Sequence, residues 1–222
     1  MEPLIRLENV TMTRNGKQPV LNGCSFSLLP GDRIGLIGAN GSGKSSLLWL
    51  MVGLLAPQSG TISIFGRIRQ SEHDFQQIRG DVGLLFQDSN DQLFCSTVME
   101  EIAFGPLNQG KTVAEARQIV HDMLERFGMS SFAHRVTHHL SGGEKRLVAL
   151  ASVLAMSPQV LLLDEPDSDL DENALKTVAD ILGYDSSRAM IIASHNHDFL
   201  NSICNRTFSL NNGRISKVKA NG

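Results

Sequence analysis

Cysteine is scarce and scattered in this sequence. The three thiols, Cys24, Cys95 and Cys204, are odd in number and form no C-x-x-C pair, which excludes a disulfide framework and a cysteine-built zinc site. Long apolar runs are missing too. The longest, around Leu147–Met156, already holds Ser152, whereas a membrane span needs about 20 apolar residues, so the chain is not expected to cross a bilayer. The opening MEPLIRLENV lacks a basic stretch followed by an apolar one. No secretion signal is expected, and a reducing, cytoplasmic setting follows. Neither sign of charge dominates: 20 Lys and Arg stand against 23 Asp and Glu, for a net charge of −3. That balance argues against a bulk electrostatic grip on nucleic acid. Internal repeats and low-complexity tracts do not occur.

What is present is ordinary for a folded domain. The 222 residues are 41% hydrophobic and 19% charged, enough to bury about 70% of the unfolded surface. Strand-like runs alternate with helical ones, which points to an α/β class with a largely parallel central sheet. Residues 4–10 and 24–29 read as short strands around an Asn15-Gly16 turn signal. Further strands are expected at Arg33–Ile37, Thr61–Phe65, Asp81–Phe86, Val160–Leu163 and Met190–Ala193. Lys44–Leu55 reads as a helix with Leu47, Leu48, Met51 and Leu54 on one face. Thr112–Phe127 has apolar residues at helical spacing, and Thr112 with Glu115 forms a capping-box signature. Residues 88–156 therefore look like a helical insertion in a core made of 1–87 and 157–222, all within one domain over 1–222.

Three elements carry chemistry. Gly38-Ala39-Asn40-Gly41-Ser42-Gly43-Lys44-Ser45-Ser46 fits G-x-x-x-x-G-K-[ST] and lies between a predicted strand and a predicted helix. Glycines let backbone N–H groups converge on phosphate oxygens, and the helix adds its positive end. Lys44 can reach the β- and γ-phosphates, and the Ser45 hydroxyl suits Mg²⁺. Leu161-Leu162-Leu163-Asp164-Glu165-Pro166 ends a buried strand in two carboxylates. Asp164 suits Mg²⁺, and Glu165 is placed to orient or deprotonate an attacking water. Leu140-Ser141-Gly142-Gly143-Glu144-Lys145-Arg146 opens a helix with an S-x-x-E cap. It reads either as ordinary capping or as a second anion-seeking helix end.

Together, and in this order, these elements resemble the ATP-binding-cassette (ABC) ATPases over nearly the whole chain. GANGSGKSS is similar to the Walker A loop, LLLDEP to the Walker B strand and LSGGEKR to the family signature. Gln87 resembles the Q-loop glutamine, His195 the switch histidine, and Ser168-Asp169-Leu170-Asp171 the D-loop. The resemblance implies a P-loop cassette: a RecA-like core, an N-terminal antiparallel β subdomain and an inserted helical subdomain. It implies ATP and Mg²⁺ as cofactors, with Ser45, Gln87 and Asp164 around the metal and Glu165, Gln87 and His195 in the catalytic roles. It also implies that two cassettes face head to tail, each ATP lying between one Gly38–Ser46 loop and the other subunit's Ser141, Gly142, Gly143 and Glu144. A homodimer is the simplest assembly, and a paralogous ATPase could replace one copy.

A narrower resemblance starts after Gln87. Residues 88–110, DSNDQLFCSTVMEEIAFGPLNQG, are similar to the energy-coupling-factor subfamily, which drives uptake of transition metals or vitamins in prokaryotes. This implies a motor on the cytoplasmic face of the membrane, docked to integral membrane subunits. Leu93, Phe94, Val98, Ile102 and Phe104 either line a groove for a coupling helix or pack the helical subdomain. The short ending after His195 resembles the dedicated cobalt, nickel or biotin systems, with cobalt or nickel first.

The chain also departs from the family pattern. Arg14 stands where an adenine-stacking aromatic is usual; a guanidinium can stack on a base or stay solvated. Asp167 and Asp169 add negative charge to the turn after Pro166; they either slow closure and lower resting hydrolysis or simply face water, the latter being the expectation. Asn196 follows the switch histidine where many relatives have aspartate. His134, His138 and His139 raise a metal site as one reading, since His134 and His138 would share a face if that stretch were helical, but surface or hinge positions are the simpler expectation.

Overall fold

A computed structural model describes residues 1–13, 19–185 and 187–218. Arg14 and the Asn15-Gly16 signal lie outside the described residues. The chain opens with two long strands, β1 (Ile5–Thr13) and β2 (Pro19–Leu28), paired antiparallel with Ile5 opposite Leu28. Next come β3 (Arg33–Ile37), helix α1 (Lys44–Met51), β4 (Ser59–Ile64) and β5 (Arg67–Ile68), then the short α2 (Glu72–Gln76) and β6 (Val82–Leu85). The middle is helical, with α3 (Val98–Asn108), α4 (Val113–Arg126) and α5 (Gly142–Ala155). The core resumes with β7 (Val160–Asp164), α6 (Glu172–Tyr184), β8 (Ala189–Ala193) and α7 (His197–Ile203), and closes on β9 (Arg206–Asn211) and β10 (Arg214–Lys217).

Two sheets result. One is antiparallel, in the order β2-β1-β4-β5, and the other runs β10-β9-β3-β8-β7-β6. In the second, β3, β6, β7, β8 and β9 are parallel and only β10 runs the other way. The sequence of its central strands explains their place. Val160 and Leu162 of β7, with Ile191 and Ala193 of β8, pack into the core shared with the antiparallel sheet. Leu161 and Leu163, with Met190 and Ile192, face a second core shared with the helices. A strand buried on both faces is apolar along its length, as Val160–Leu163 and Ala189–Ala193 are.

The first and fourth helices match their sequence signals unequally. Thr112 caps α4 through the expected box, its hydroxyl accepting from Glu115 N–H while the Glu115 carboxylate accepts from Thr112 N–H at 2.7 Å. The helix read over Lys44–Leu55 instead stops at Met51. Gly53 takes a left-handed φ of 77°, and Leu54 N–H bonds back to the Trp49 carbonyl at 3.0 Å, a turn that ends a helix. The strand pair is longer than read, because β1 and β2 continue along their hairpin to Thr13 and Pro19. His134 and His138 do not share a helix: His138 sits in a single 3₁₀ turn at Thr137–His139 that does not include His134. Among the described residues no helix is long and apolar enough to cross a membrane.

Candidate nucleotide site

The carboxyl ends of β3, β7 and β8 meet at one edge of the parallel sheet, and the chemistry-bearing residues follow them directly. After β3, the loop to α1 packs against β2. Gly43 has φ 105°, and a Cβ there would lie 2.5 Å from Val20 Cγ1, so only glycine fits. The Lys44 side chain is 6% exposed. Its ammonium donates to the Gly38 carbonyl at 2.9 Å and to His195 Nε2 at 3.2 Å. An ammonium has no lone pair, so that imidazole nitrogen must be the acceptor. Glu165 Oε1, 3.5 Å from the same nitrogen, is then a neighbour rather than a hydrogen-bond partner.

Asp164 closes β7 at 1% exposure. Burial pushes its carboxyl above the usual range, opposed by a hydrogen bond from Ser45 and by the charges of Lys44 and Arg146. Its Oδ2 is buried without a hydrogen-bond partner. An orphaned carboxylate oxygen beside a serine hydroxyl is the donor set a hard divalent cation takes, so these residues fit Mg²⁺.

Glu165 follows with φ 49°, a region a non-glycine residue enters only at a cost. Its N–H is held by the Ala193 carbonyl at 2.8 Å, and Gln87 Nε2 lies 3.4 Å from its Oε2. The turn beyond it differs from expectation. Asp167 does not simply face water: its Oδ2 accepts from the buried Ser194 hydroxyl at 2.8 Å. Ser194 in turn accepts from Asn196 N–H at 2.9 Å, and Asn196 caps α7 through Phe199 N–H. Asp169 is exposed, as expected.

The start of α5 packs beside the turn that follows Glu165, where a Cβ on Gly143 would lie 2.8 Å from the Asp169 carbonyl oxygen. Ser141 is its N-cap, in a reciprocal box with Glu144, whose carboxyl is held low chiefly by the Ser141 N–H. Ser141 and Gly142 are exposed, so this helix end is open to solvent. Arg146, given no role by the sequence reasoning, is 2% exposed. It donates to the Phe86 carbonyl at 2.6 Å, to the Gln87 carbonyl and to Ser168 Oγ at 2.8 Å. Its only sequence signal is a charge one residue ahead of an otherwise apolar helix.

The five apolar residues of 93–104 divide. Leu93, Val98 and Ile102 are buried in the helical core. Phe94 and Phe104 are exposed and meet edge to face at 4.7 Å. With Met99, Leu107 and Val113 they line an open groove of about 550 Å³ between α3 and α4.

The sequence family described as "ABC transporter" matches residues 21–168. The chain belongs to that family. A Brucella suis protein, by name an ABC transporter ATP-binding protein, is 48% identical over 215 residues, covering 97% of this chain and 89% of its own. The energy-coupling factor transporter ATP-binding protein EcfA of Methanothermobacter thermautotrophicus is 38% identical, over 96% of this chain and 69% of its own. Among solved structures, cbiO1 of Clostridium perfringens, part of the ABC transporter complex cbiONQ, aligns with a TM-score of 0.84 at 30% identity, covering 97% and 88% of the two chains. The cassette is therefore an ATPase that uses ATP with Mg²⁺, built as the ABC subunit of a transporter.

Proposed function

We propose that this cassette is the motor of an uptake transporter of the energy-coupling-factor type, with cobalt or nickel as cargo. The observation that carries the site reading is the convergence, at the ends of β3, β7 and β8, of a phosphate loop, a buried unpaired Asp164 oxygen and Glu165. The N–H groups of Asn40–Ser46 and the Lys44 ammonium receive the phosphates. Ser45, Asp164 and Gln87 would hold Mg²⁺, which would supply positive charge beside the phosphoryl oxygens. Glu165 takes a proton from the attacking water as general base. His195, within reach of Lys44, contacts the γ-phosphate when Lys44 turns from its own loop to the nucleotide. The open N-terminus of α5, with Ser141, Gly142 and Gly143, completes the site of a second copy set head to tail.

The Phe94–Phe104 groove supports docking on a membrane subunit, because an apolar helix face is the natural occupant of an apolar cleft between two helices. Likeness to EcfA over 96% of the chain and the resemblance of residues 88–110 to the energy-coupling-factor subfamily support the transporter type. Labelled cobalt and nickel uptake in the native cells, wild type against Glu165→Gln, tests this. Loss of uptake of one ion, with an inert compound unaffected, supports the reading. Unchanged uptake of both ions, with the variant expressed and membrane-bound, moves the cargo to biotin or another vitamin.

A further inference from the structure

The guanidinium of Arg146 occupies a junction that the catalytic assignments do not use. It reaches out of α5 and spans two loops that contribute to the site from different strands. On one side it donates to the carbonyls of Phe86 and Gln87, which follow β6. On the other it donates to Ser168 Oγ in the turn after β7. Ser168 passes the connection on: its hydroxyl donates to the Glu165 carbonyl at 2.8 Å, and its N–H bonds to the same carbonyl at 3.1 Å. A continuous path of hydrogen bonds thus runs from the Gln87 backbone through Arg146 and Ser168 to the Glu165 backbone. The Gln87 and Glu165 side chains meet at its far end, 3.4 Å apart.

We propose that Arg146 is a positioning residue for ATP hydrolysis, clamping the helical part of the cassette to the core so that Gln87 and Glu165 share one geometry. The proposal rests on the reading of Glu165 as the base. Glu165 sits at φ 49°, a conformation that persists only when its surroundings fix it, and the Ser168–Arg146 pair supplies part of that constraint. Arginine suits the role because its planar fork serves several acceptors at once, whereas lysine offers a compact point charge on a flexible stem. The cluster of carboxylates around it, Asp88, Asp164, Glu165 and Asp169, also needs the positive charge, which Arg146→Lys keeps. A loss in that variant therefore reports the fork geometry rather than the charge. The clamp links Gln87 to α5, the helix that carries Ser141 and Gly142, so a shift of the helical part is felt at Glu165.

The test uses the full chain with Arg146→Lys, Ser168→Ala and the double variant, measuring kcat, KM for MgATP and ATP affinity by calorimetry. Arg146→Lys is expected to lower kcat by about tenfold or more while ATP affinity changes less than about threefold, since the phosphate loop is not touched. Ser168→Ala lowers kcat by a smaller factor, and the double variant is no slower than Arg146→Lys, because both cut one path. Wild-type kcat in Arg146→Lys, equal losses of kcat and affinity, or multiplying losses in the double variant would each overturn the proposal. Should Arg146→Lys fail to fold, wild-type kcat in Ser168→Ala overturns it alone. Glu165→Gln in the same assay separates the two readings: wild-type turnover there removes the base itself, whatever Arg146 does.

Discussion

Two adjacent carboxylates sit in different surroundings. Asp164 ends a strand buried on both faces, so its charge is costly until a cation or a donor answers it. Glu165 is turned out of the strand by its left-handed backbone and left half-buried, where water can reach it. General-base action is worth about 10²–10⁴ in rate, so Glu165→Gln should lose at least that much turnover and keep its nucleotide affinity. The cysteines offer a separate residue-scale test. Cys95 lies beside the apolar groove, and burial, followed by the charge of Glu101, pushes its thiol up to about 11. Burial pushes Cys204 up to about 12. Thiolate is the reactive form and appears only as pH rises through those values. At pH 8 Cys95 should hold on the order of a hundredfold less thiolate than an ordinary cysteine. Iodoacetamide labelling followed by mass spectrometry checks this; labelling of Cys95 as fast as free cysteine would contradict it.

At the scale of elements, local signals worked where one periodicity or cap acted alone. Val160–Leu163 and Met190–Ala193 are apolar at every position, which suits a strand buried on both faces, and both lie in such strands. Thr112 and Glu115 form a reciprocal box on an exposed helix end. Removing the hydroxyl by Thr112→Ala should cost about 1 kcal/mol, read as a lower urea midpoint at unchanged slope; an unchanged midpoint would mean α4 is held by packing alone. Tertiary relations were less legible. The spacing of Leu93, Phe94, Val98, Ile102 and Phe104 does not say which side of α3 meets α5 and which is left open, so core and groove residues looked alike. Arg146 was invisible for the same reason: its acceptors lie in loops 59 and 60 residues before it and 22 residues after it. Asp167 was misread because its partner, Ser194, comes from the neighbouring strand's loop.

At the scale of the whole molecule, the proposed site is shared between two copies. The phosphate loop, Asp164, Glu165 and His195 form an edge at the ends of the parallel strands, while the α5 N-terminus is capped by its own residues, lies beside Asp169 and keeps Ser141 and Gly142 open to solvent. Ser141 and Glu144 satisfy each other's N–H groups, so the helix end is stable without a ligand and remains open for one presented from outside. The helix dipole favours an anion at that end by roughly 0.3–1 kcal/mol when exposed and by more when water is excluded. A second copy bringing its bound ATP would exclude that water, which makes closure dependent on nucleotide. Ser141→Arg places a bulky cation in the contact and removes the cap hydroxyl. It should abolish the ATP-dependent dimer that Glu165→Gln accumulates, while ATP still binds the monomer through a phosphate loop the substitution does not touch. Light scattering of Glu165→Gln with and without Ser141→Arg, paired with calorimetric ATP binding, reads both at once. Dimers that persist in the double variant would remove the α5 end from the interface, and loss of monomer binding would show that the two halves of the site are not separate.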